Sequence, residues 1–532
     1  MKPIYIYTAA LLAALSLPVA AQETYEAADI ATEDLNGTAR YVGMGGAMDA
    51  LGADISTIGS NPAGIGLFRK SSVSTSFSVH AQSDQQDLGR GSNSKVSFDQ
   101  IGFVWSNRVG SGSNINFAFN YHKSRNFNQI LNAANKLDGS AAHKTTIAKQ
   151  NYGVFELYQS SNTLASNNLT YSQSDDLYEN YLFSEDYQNG QLPIGYDANS
   201  FDHYRANTGY IGEYDFNLSG NINDRVYLGA TVGIHDVHYK KWSTYHEAYP
   251  SEGDLYIDDY RHITGSGFDI KLGAIIRPIE DSPFRFGISV HSPVFYDLKM
   301  SNTTAIQTNN DNQLVLNNEY DYKLYTPWKI GISAGHTIGN QIAIGVGYDY
   351  YNYNWMDARI DDGVSYDYWG DAYSSSYSDE DVNQHIEETL KGVHTLKLGL
   401  ELKPIDCFAL RLGYNFVSPV YESDGVKQAT RSGNIVNSLA TSYTSDDTYV
   451  NWRATNRFTI GCGFTAKNWT IDAAYQYSAQ NGDFYPFTSC DYSYTSTATD
   501  GTTSTVNVDN VAPKTSVTNK RHQVLFTLGY KF

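Results

Sequence analysis

Stretches in which apolar and polar side chains alternate recur along this chain, each about ten residues long, and nothing else constrains its fold as strongly. A strand turns successive side chains to opposite faces, so every such stretch has one greasy side and one wet side. The chain end is the clearest case. Val524, Phe526, Leu528, Tyr530 and Phe532 share one face and Gln523, Thr527, Gly529 and Lys531 the other, with Leu525 the one exception. The first apolar faces are Val73, Phe77, Val79, then Ile101, Phe103, Trp105, then Ile115, Phe117, Phe119, Tyr121. The pattern returns at Tyr214 to Leu218, Val226 to Ile234, Phe268 to Ala274, Phe284 to Val290 and Trp328 to Ile332. It continues at Ile342 to Tyr348, Leu396 to Leu402, Phe408 to Phe416, Phe458 to Phe464 and Trp469 to Tyr475, making fourteen with the chain end.

A strand of that length crosses a bilayer when tilted. Short turns at Asn107–Ser113, Asn223–Asp224, Pro278–Ser282, Thr337–Asn340, Pro404–Asp406 and Ala466–Asn468 alternate with long polar connections such as Lys123–Asn207, Asn354–Val393 and Ser418–Thr455. Short turns at one end and long loops at the other mark an outer-membrane barrel, and closure removes the free edges that hydrocarbon would penalise. The predicted fold is all-β: a fourteen-stranded antiparallel transmembrane β-barrel. Phe532, with Tyr530 and Leu528, resembles the closing strand of bacterial outer-membrane barrels, which implies a signal to the barrel-assembly machinery. The inward faces would carry Glu213, Asp215, Asp269, Lys271, Arg285, Lys329, Lys397, Glu401, Arg411 and Asp472. A Lys or Arg facing lipid near the midplane would cost about 2–4 kcal/mol, whereas in a lumen these groups can pair with one another or with a plug. Gly229, Gly233, Gly399, Gly413, Gly461 and Gly463 also point inward and leave space beside the wall.

Lys2, the apolar run Ile4 to Leu17 and the small residues Val19-Ala20-Ala21 read as a signal peptide over residues 1–21. The expected destination is the outer membrane of a Gram-negative bacterium, among its lipids and lipopolysaccharide. With 43 Tyr, 44 Gly and 18% charged residues, the composition suits aromatic girdles at two membrane interfaces. A net charge of −20 argues against nucleic acid as a partner. Cys407, Cys462 and Cys490 fall in a turn, on a lipid-facing position and in an outer loop, so neither a disulfide framework nor a thiolate metal site is expected. Acidic clusters at Asp361-Asp362 and Asp379-Glu380-Asp381 read as a solvated loop surface, with a divalent-cation site as the sharper alternative. No phosphate-binding loop occurs, and no spacing joins His122, His235, His291 or His336 to a nucleophile. The chain is therefore read as a non-enzyme with no cofactor.

Fourteen strands enclose a bore that would leak unless filled. Residues 22–70 precede the first strand, have no place in the wall, and are expected to lie in the lumen as a plug. Gly43-Met44-Gly45-Gly46 permits tight turning and close approach to the wall. Asn61-Pro62-Ala63-Gly64 combines a capping residue, a fixed φ and a permissive glycine.

Thr38 to Gly66 (TARYVGMGGAMDALGADISTIGSNPAGIG) resembles the N-terminal hatch of the FadL family of fatty-acid and toluene transporters, with smaller echoes at His291 to Leu298 and Thr326 to Gly335. That resemblance implies a fourteen-stranded barrel, an N-terminal hatch bearing an Asn-Pro-Ala motif, here Asn61, Pro62 and Ala63, and a hydrophobic small-molecule ligand. It also implies a sideways exit where the third strand kinks, which would fall within Ile115–His122. Phe127, Ile130, Leu131 and Ala134 are spaced as one face of a short helix, a candidate capture groove outside the membrane. The function expected is passive, hatch-gated uptake of long-chain fatty acids or aromatic hydrocarbons. A shuttle-like part in type IX secretion, or a haem-binding receptor, is the alternative.

Overall fold

The computed structural model describes residues 23–86, 89–110, 112–151, 157–160, 163–166, 195–250, 253–308, 314–366, 369, 372–427, 447–497 and 502–532. The signal-peptide region lies outside them. Fourteen strands form the wall: β1 (Ser72–Gln82), β2 (Ser94–Gly110), β3 (Ser113–Asn126), β4 (Ser200–Ile222), β5 (Val226–Tyr249), β6 (Gly253–Ile276) and β7 (Arg285–His291). Then follow β8 (Lys329–Ile338), β9 (Ile342–Asn352), β10 (Gly392–Ile405), β11 (Phe408–Val417), β12 (Tyr449–Ala466), β13 (Trp469–Tyr485) and β14 (Thr515–Lys531). Each pairs antiparallel with the next. The ring closes where β14 meets β1, from Ser72↔Lys531 to Gln82↔Arg521.

The alternation read from the residues sorts them as expected. Phe77, Trp105, Phe117, Leu218, Leu272, Ile332, Leu412, Phe458, Ile471 and Phe526 lie exposed on the outside, while Asn116, Asp215, Asp269, Lys397, Arg411 and Gln523 are buried inside. An exposed apolar band around a closed wall is the surface of a protein dissolved in lipid. Leu525, the exception to the alternation, is fully buried against Ala39, Val42 and Ala474, so the leading segment accounts for an apolar residue on a wet face. At the chain end Phe532 donates its N–H to Ser71 O (3.0 Å) and stacks beside Tyr530, while Leu528 faces outward.

The long connections are more structured than their polarity suggested. β4, β5 and β6 run 23, 24 and 24 residues, about twice what a bilayer needs, so the wall continues well past the membrane. Strands Gln129–Lys136, Phe295–Thr308, Leu314–Tyr325 and Asp357–Tyr366 extend this outer rim. Residues 129–136 are therefore not a helix. Ile130 and Leu131 are both buried because this strand is covered on both sides, and that mimics a helical spacing. Ile130 lies against Gly91, and Leu131 joins an apolar cluster with Leu137, Ala141, Phe201, Tyr245, Phe484 and Phe487. Many tyrosines also fill the rim instead of girdling lipid: Tyr25 stacks on Tyr421 at 4.8 Å, and Tyr239, Tyr320 and Tyr322 are buried beside them.

His143 makes the stability of this rim pH-dependent. Burial, aided by the neighbouring Lys144 charge, pushes its pKa down to about 3. Its Nε2 accepts the Tyr196 N–H (2.7 Å), which requires the neutral ring. The unfolded chain takes up this proton near pH 6.5 and the folded rim does not. The stabilisation is therefore complete above about pH 6.5 and declines by about 1.4 kcal/mol per pH unit on descending toward 3. Buried Glu247, its pKa raised by desolvation, acts in the opposite sense, and only between the ordinary carboxylate value and its raised one. Hydrogen exchange, corrected for intrinsic rates, should thus be faster in residues 141–148 and 484–492 at pH 5.0 than at pH 7.5. Equal protection would contradict this.

Candidate functional site

The leading segment enters at the long-loop end and leaves at the short-turn end, packed throughout against inward-facing side chains. Helix α1 (Thr24–Ala31) docks in the rim through Thr24 Oγ1 to His385 Nδ1 (2.7 Å), Tyr25 Oη donating to Asn451 (2.8 Å), and the Glu26–Arg261 ion pair. Helix α2 (Ala39–Gly43) is capped by Thr38, which accepts the Tyr41 N–H (3.1 Å) and donates to Asp54 (2.8 Å). Gly45 follows with φ +62°, and a Cβ there would sit 2.8 Å from Tyr414 N and 2.9 Å from Leu398 O. Only glycine suits both the left-handed turn and that approach. Gly46 continues the turn at φ +79°.

The Asn-Pro-Ala stretch opens a 3₁₀ turn over Pro62–Leu67, with Asn61 Oδ1 accepting the Ala63 N–H (3.2 Å). Its seat is a patch of wall without side chains. A Cβ on Gly229 would lie 2.4 Å from the Pro62 carbonyl carbon, and one on Gly273 2.1 Å from Asn61 Oδ1. Gly64 closes against Thr57, and Ala63 is fully buried. Inward glycines and motif are thus two halves of one contact.

The inward charges also divide between wall and segment. Lys329 pairs with Glu33 (2.9 Å), and Lys397 with Asp49 (3.0 Å) and Asp349 (2.7 Å). Arg40 and Arg411 share Glu401 (3.1 and 2.7 Å), and Arg411 also reaches Asp472 (2.6 Å). Arg285 Nη1 donates to Leu51 O (2.9 Å).

One seam of the wall is incomplete. β2 and β3 pair from Gly110↔Ser113 up to Gln100↔His122 and no further, although both strands continue. Asp99 bulges out of the β1–β2 register there, and β3 shifts register against β4 between Lys123 and Arg125. The irregularity therefore lies just beyond the Ile115–His122 stretch expected to kink, and a bulge at Ser124 makes it without glycine or proline. Side chains span the parting: Lys123 Nζ donates to Ser97 Oγ (2.9 Å), and Lys95 Nζ to Asn128 Oδ1 (2.7 Å).

The leading segment occupies this seam from inside. Asp34 donates its N–H to Ser124 O (2.8 Å) and accepts the Asn126 N–H at Oδ2 (2.9 Å), pairing with β3 where β2 has left. Asn36 Nδ2 donates to both Asp99 Oδ1 (3.3 Å) and Lys123 O (3.1 Å), one amide joining the two parted strands.

Residues 32–36 separate two cavities. The inner, about 110 Å³, is lined by Tyr41, His122, Glu213, Lys329, Lys397 and Asn415. The outer, about 90 Å³, combines Arg125, Arg457 and Arg521 with Phe127, Val417, Tyr421 and Trp452. Asp34 faces two of these guanidiniums, at 3.4 Å from Arg125 and 3.7 Å from Arg457. Phe127 was expected to meet a ligand and does line this cavity, whereas Ile130 and Leu131 do not. Arg457 and Arg521 were not among the inward charges expected above, although strand parity marks both: Phe458 and Val524 face out, so residues 457 and 521 face in.

No family model matches this chain, and no curated protein matches it. Among solved structures it is similar to the toluene transporter TbuX of Ralstonia pickettii, with 11% identity, 94% of this chain and 99% of that chain covered, and a TM-score of 0.49. The toluene transporter TodX of P. putida is similar at 10% identity over 94% and 99% of the two chains, with a TM-score of 0.47. A FadL homologue of Pseudomonas aeruginosa is similar at 12% identity over 94% and 99%, again with a TM-score of 0.47. The closed fourteen-stranded wall is the one that the FadL resemblance implied.

The outer acidic clusters have structural partners. Asp379 caps helix Glu380–Thr389 by accepting the Val382 N–H (3.2 Å), and Asp361 accepts the Gly363 N–H (2.8 Å). Among the described residues, the groups of three or more close metal-ligating side chains lie in the lumen wall. Of the cysteines, Cys462 is exposed on β12, Cys490 is buried in the rim and Cys407 is half-buried at the β10–β11 turn, all three as free thiols.

Proposed function

We propose that this chain is an outer-membrane channel for passive uptake of small hydrophobic molecules, with the leading segment as its hatch and the β2–β3 seam as a sideways exit. The observation that carries this reading is the coincidence of three features at Asp34 and Asn36: the unpaired seam, the segment closing it, and a cavity on either side. A lipid-soluble molecule released through the seam enters the membrane directly and need not cross the charged lower lumen. The outer cavity narrows the ligand class. Three guanidiniums beside Val417, Tyr421, Trp452 and Phe127 suit a carboxylate carried on an apolar body. We therefore favour a long-chain fatty acid over an aromatic hydrocarbon. In this reading the chain catalyses nothing and needs no nucleotide.

The hatch motif provides the test. Changing Asn61→Ala and Pro62→Ala together removes a cap worth about 1 kcal/mol and a fixed φ, which loosens the segment from Gly229 and Gly273 without touching the wall ladder. Uptake of a labelled fatty acid into proteoliposomes should change about fivefold while the barrel keeps its heat-modifiable gel mobility. Unchanged uptake by an intact barrel would count against gating by this segment.

A further inference from the structure

The parted seam is a bounded gap, closed on each face by different chemistry. Its lower edge is the last ladder pair, Gln100↔His122. Its upper edge is made by side chains. Lys95 Nζ reaches Asn128 Oδ1 (2.7 Å), and the Gln82 amide exchanges two hydrogen bonds with the Ile130 backbone, both 2.8 Å. Between these edges stand Val96 to Asp99 of β2, about 13 Å of strand. On the lumen side the Asn36 amide joins Asp99 to Lys123. On the lipid side two aromatic rings meet: Phe98 and Tyr121 stack with centroids 5.9 Å apart and planes 11° apart.

Resting on the sideways exit proposed above, we propose that Phe98 and Tyr121 are its outer gate and set the width of the molecule that leaves. Both rings lie on the lipid face. Phe98 is opposite Phe77 and Tyr121 opposite Tyr214, and both of those partners are exposed there. Other aromatic neighbours on this face, such as Phe103 with Phe119 and Tyr414 with Phe458, sit on residues that pair in the ladder. Phe98 and Tyr121 do not. Tyr121 pairs with Ile101, and Phe98 lies past the Asp99 bulge, beyond the last pair. These two rings therefore cover a gap where the other pairs cover hydrogen-bonded backbone.

Their chemistry suits a gate. A ring pair of this kind favours its stacked state by only about two- to tenfold. Turning one ring aside breaks no β2–β3 ladder bond, because none is made above Gln100. A molecule leaving the inner cavity, which His122 and Ser124 line, meets the polar closure first and the rings second. A slot opened by one ring is one ring wide. It admits an unbranched acyl chain and excludes a body of several fused rings. Shape thus narrows the ligand class independently of the charge that the arginines read. While shut, the rings also keep the unpaired strand edges from hydrocarbon.

The test compares proteoliposome uptake of palmitate with that of 1-pyrenebutyrate, a carboxylate on four fused rings. Phe98→Ala and Tyr121→Ala should each raise the uptake of pyrenebutyrate relative to palmitate by about fivefold or more. Phe98→Trp, which enlarges the closure, should slow palmitate by about threefold. Phe98→Leu keeps the lipid face apolar, should raise the ratio as well, and serves if the alanine variants fail to assemble. Val96, 81% exposed beside the gap, provides the control. With Cys407, Cys462 and Cys490 changed to serine, a bulky maleimide on Val96→Cys should cut palmitate uptake to background. If that label leaves uptake intact, the sideways exit fails and the gate with it. If the label blocks uptake but the ring substitutions leave rates and ratio unchanged, the exit stands and the gate is overturned. An unchanged ratio in a less heat-stable barrel would overturn it too, leaving the rings as shields for the unpaired edges.

Discussion

Asp34→Ala should turn a closed channel into a leaky one. The carboxylate is held by Arg125, Arg457 and the Asn126 N–H, and it fixes residues 32–36 along the unpaired edge of β3. Removing one partner from a buried ion pair costs about 3–5 kcal/mol, and the lower end applies here because Arg457 loses its carboxylate while Arg125 keeps Asp29 (3.1 Å). The wall does not bear that cost, since no ladder bond of β1 to β14 involves Asp34. It falls on the docked state of the segment, whose ratio to the undocked state should drop by about 100-fold or more. Single-channel recordings in planar bilayers should show long conducting events in the variant and rare ones in the parent. Trypsin should also cut the variant after Arg40, the one basic residue in 23–40, while leaving the barrel whole. Identical conductance and protection would mean that the seam is held by other contacts. Asn36→Ala removes three side-chain hydrogen bonds, to Asp99, Lys123 O and Gln523, but no ion pair, so its effect should have the same direction and be smaller.

The second large effect concerns the ligand. Arg521 donates to a neutral acceptor, Asn126 O (3.3 Å), and Arg457 donates to Asn415 Oδ1 (2.9 Å) and only shares the Asp34 carboxylate, 3.7 Å away, with Arg125, so both cations can receive an incoming carboxylate. A hydrogen bond to a charged group is worth about 1.5–3 kcal/mol. The pair Arg457→Gln and Arg521→Gln should therefore reduce uptake of a long-chain fatty acid by about 100-fold or more, since each glutamine keeps a donor but not the charge. Uptake of the methyl ester, or of toluene, should change less than threefold, because Val417, Tyr421 and Trp452 still supply the apolar wall. A parallel fall for ester and acid would show that the arginines shape the cavity without reading the head group. No fall for either would move the binding site elsewhere.

The wall was legible from residues alone because the bilayer imposes a strict period. Each of Val524, Phe526 and Leu528 must face lipid, and each of Gln523, Thr527 and Gly529 must not. The segment's seat was half legible: Asn61-Pro62 and the inward glycines were both visible, but only the fold brings Gly229 and Gly273 against the motif. The rim was misread because above the membrane both faces of a strand are covered by protein. Period two then fails, and Phe127, Ile130 and Leu131 imitate a helix. The seam was displaced for a related reason. A bulge at Ser124 needs no glycine or proline, so nothing local in the sequence records where β2 stops pairing. The histidine–carboxylate contacts were hidden as well, since only strand pairing brings His122 to Glu213 and His235 to Asp269.

The claim on which the transport reading depends is that the segment must move for a ligand to pass, and a reversible tether tests it most directly. Gly43 and Gly461 approach so closely that a Cβ built on either lies 3.3–3.4 Å from the other's Cα. Cysteines at both positions, with Cys407, Cys462 and Cys490 changed to serine, are within reach of a disulfide joining hatch to wall. Fatty-acid uptake by the oxidised protein should fall to background and return on reduction. Equal uptake in the two redox states, with the disulfide confirmed by mass spectrometry, would contradict a moving hatch.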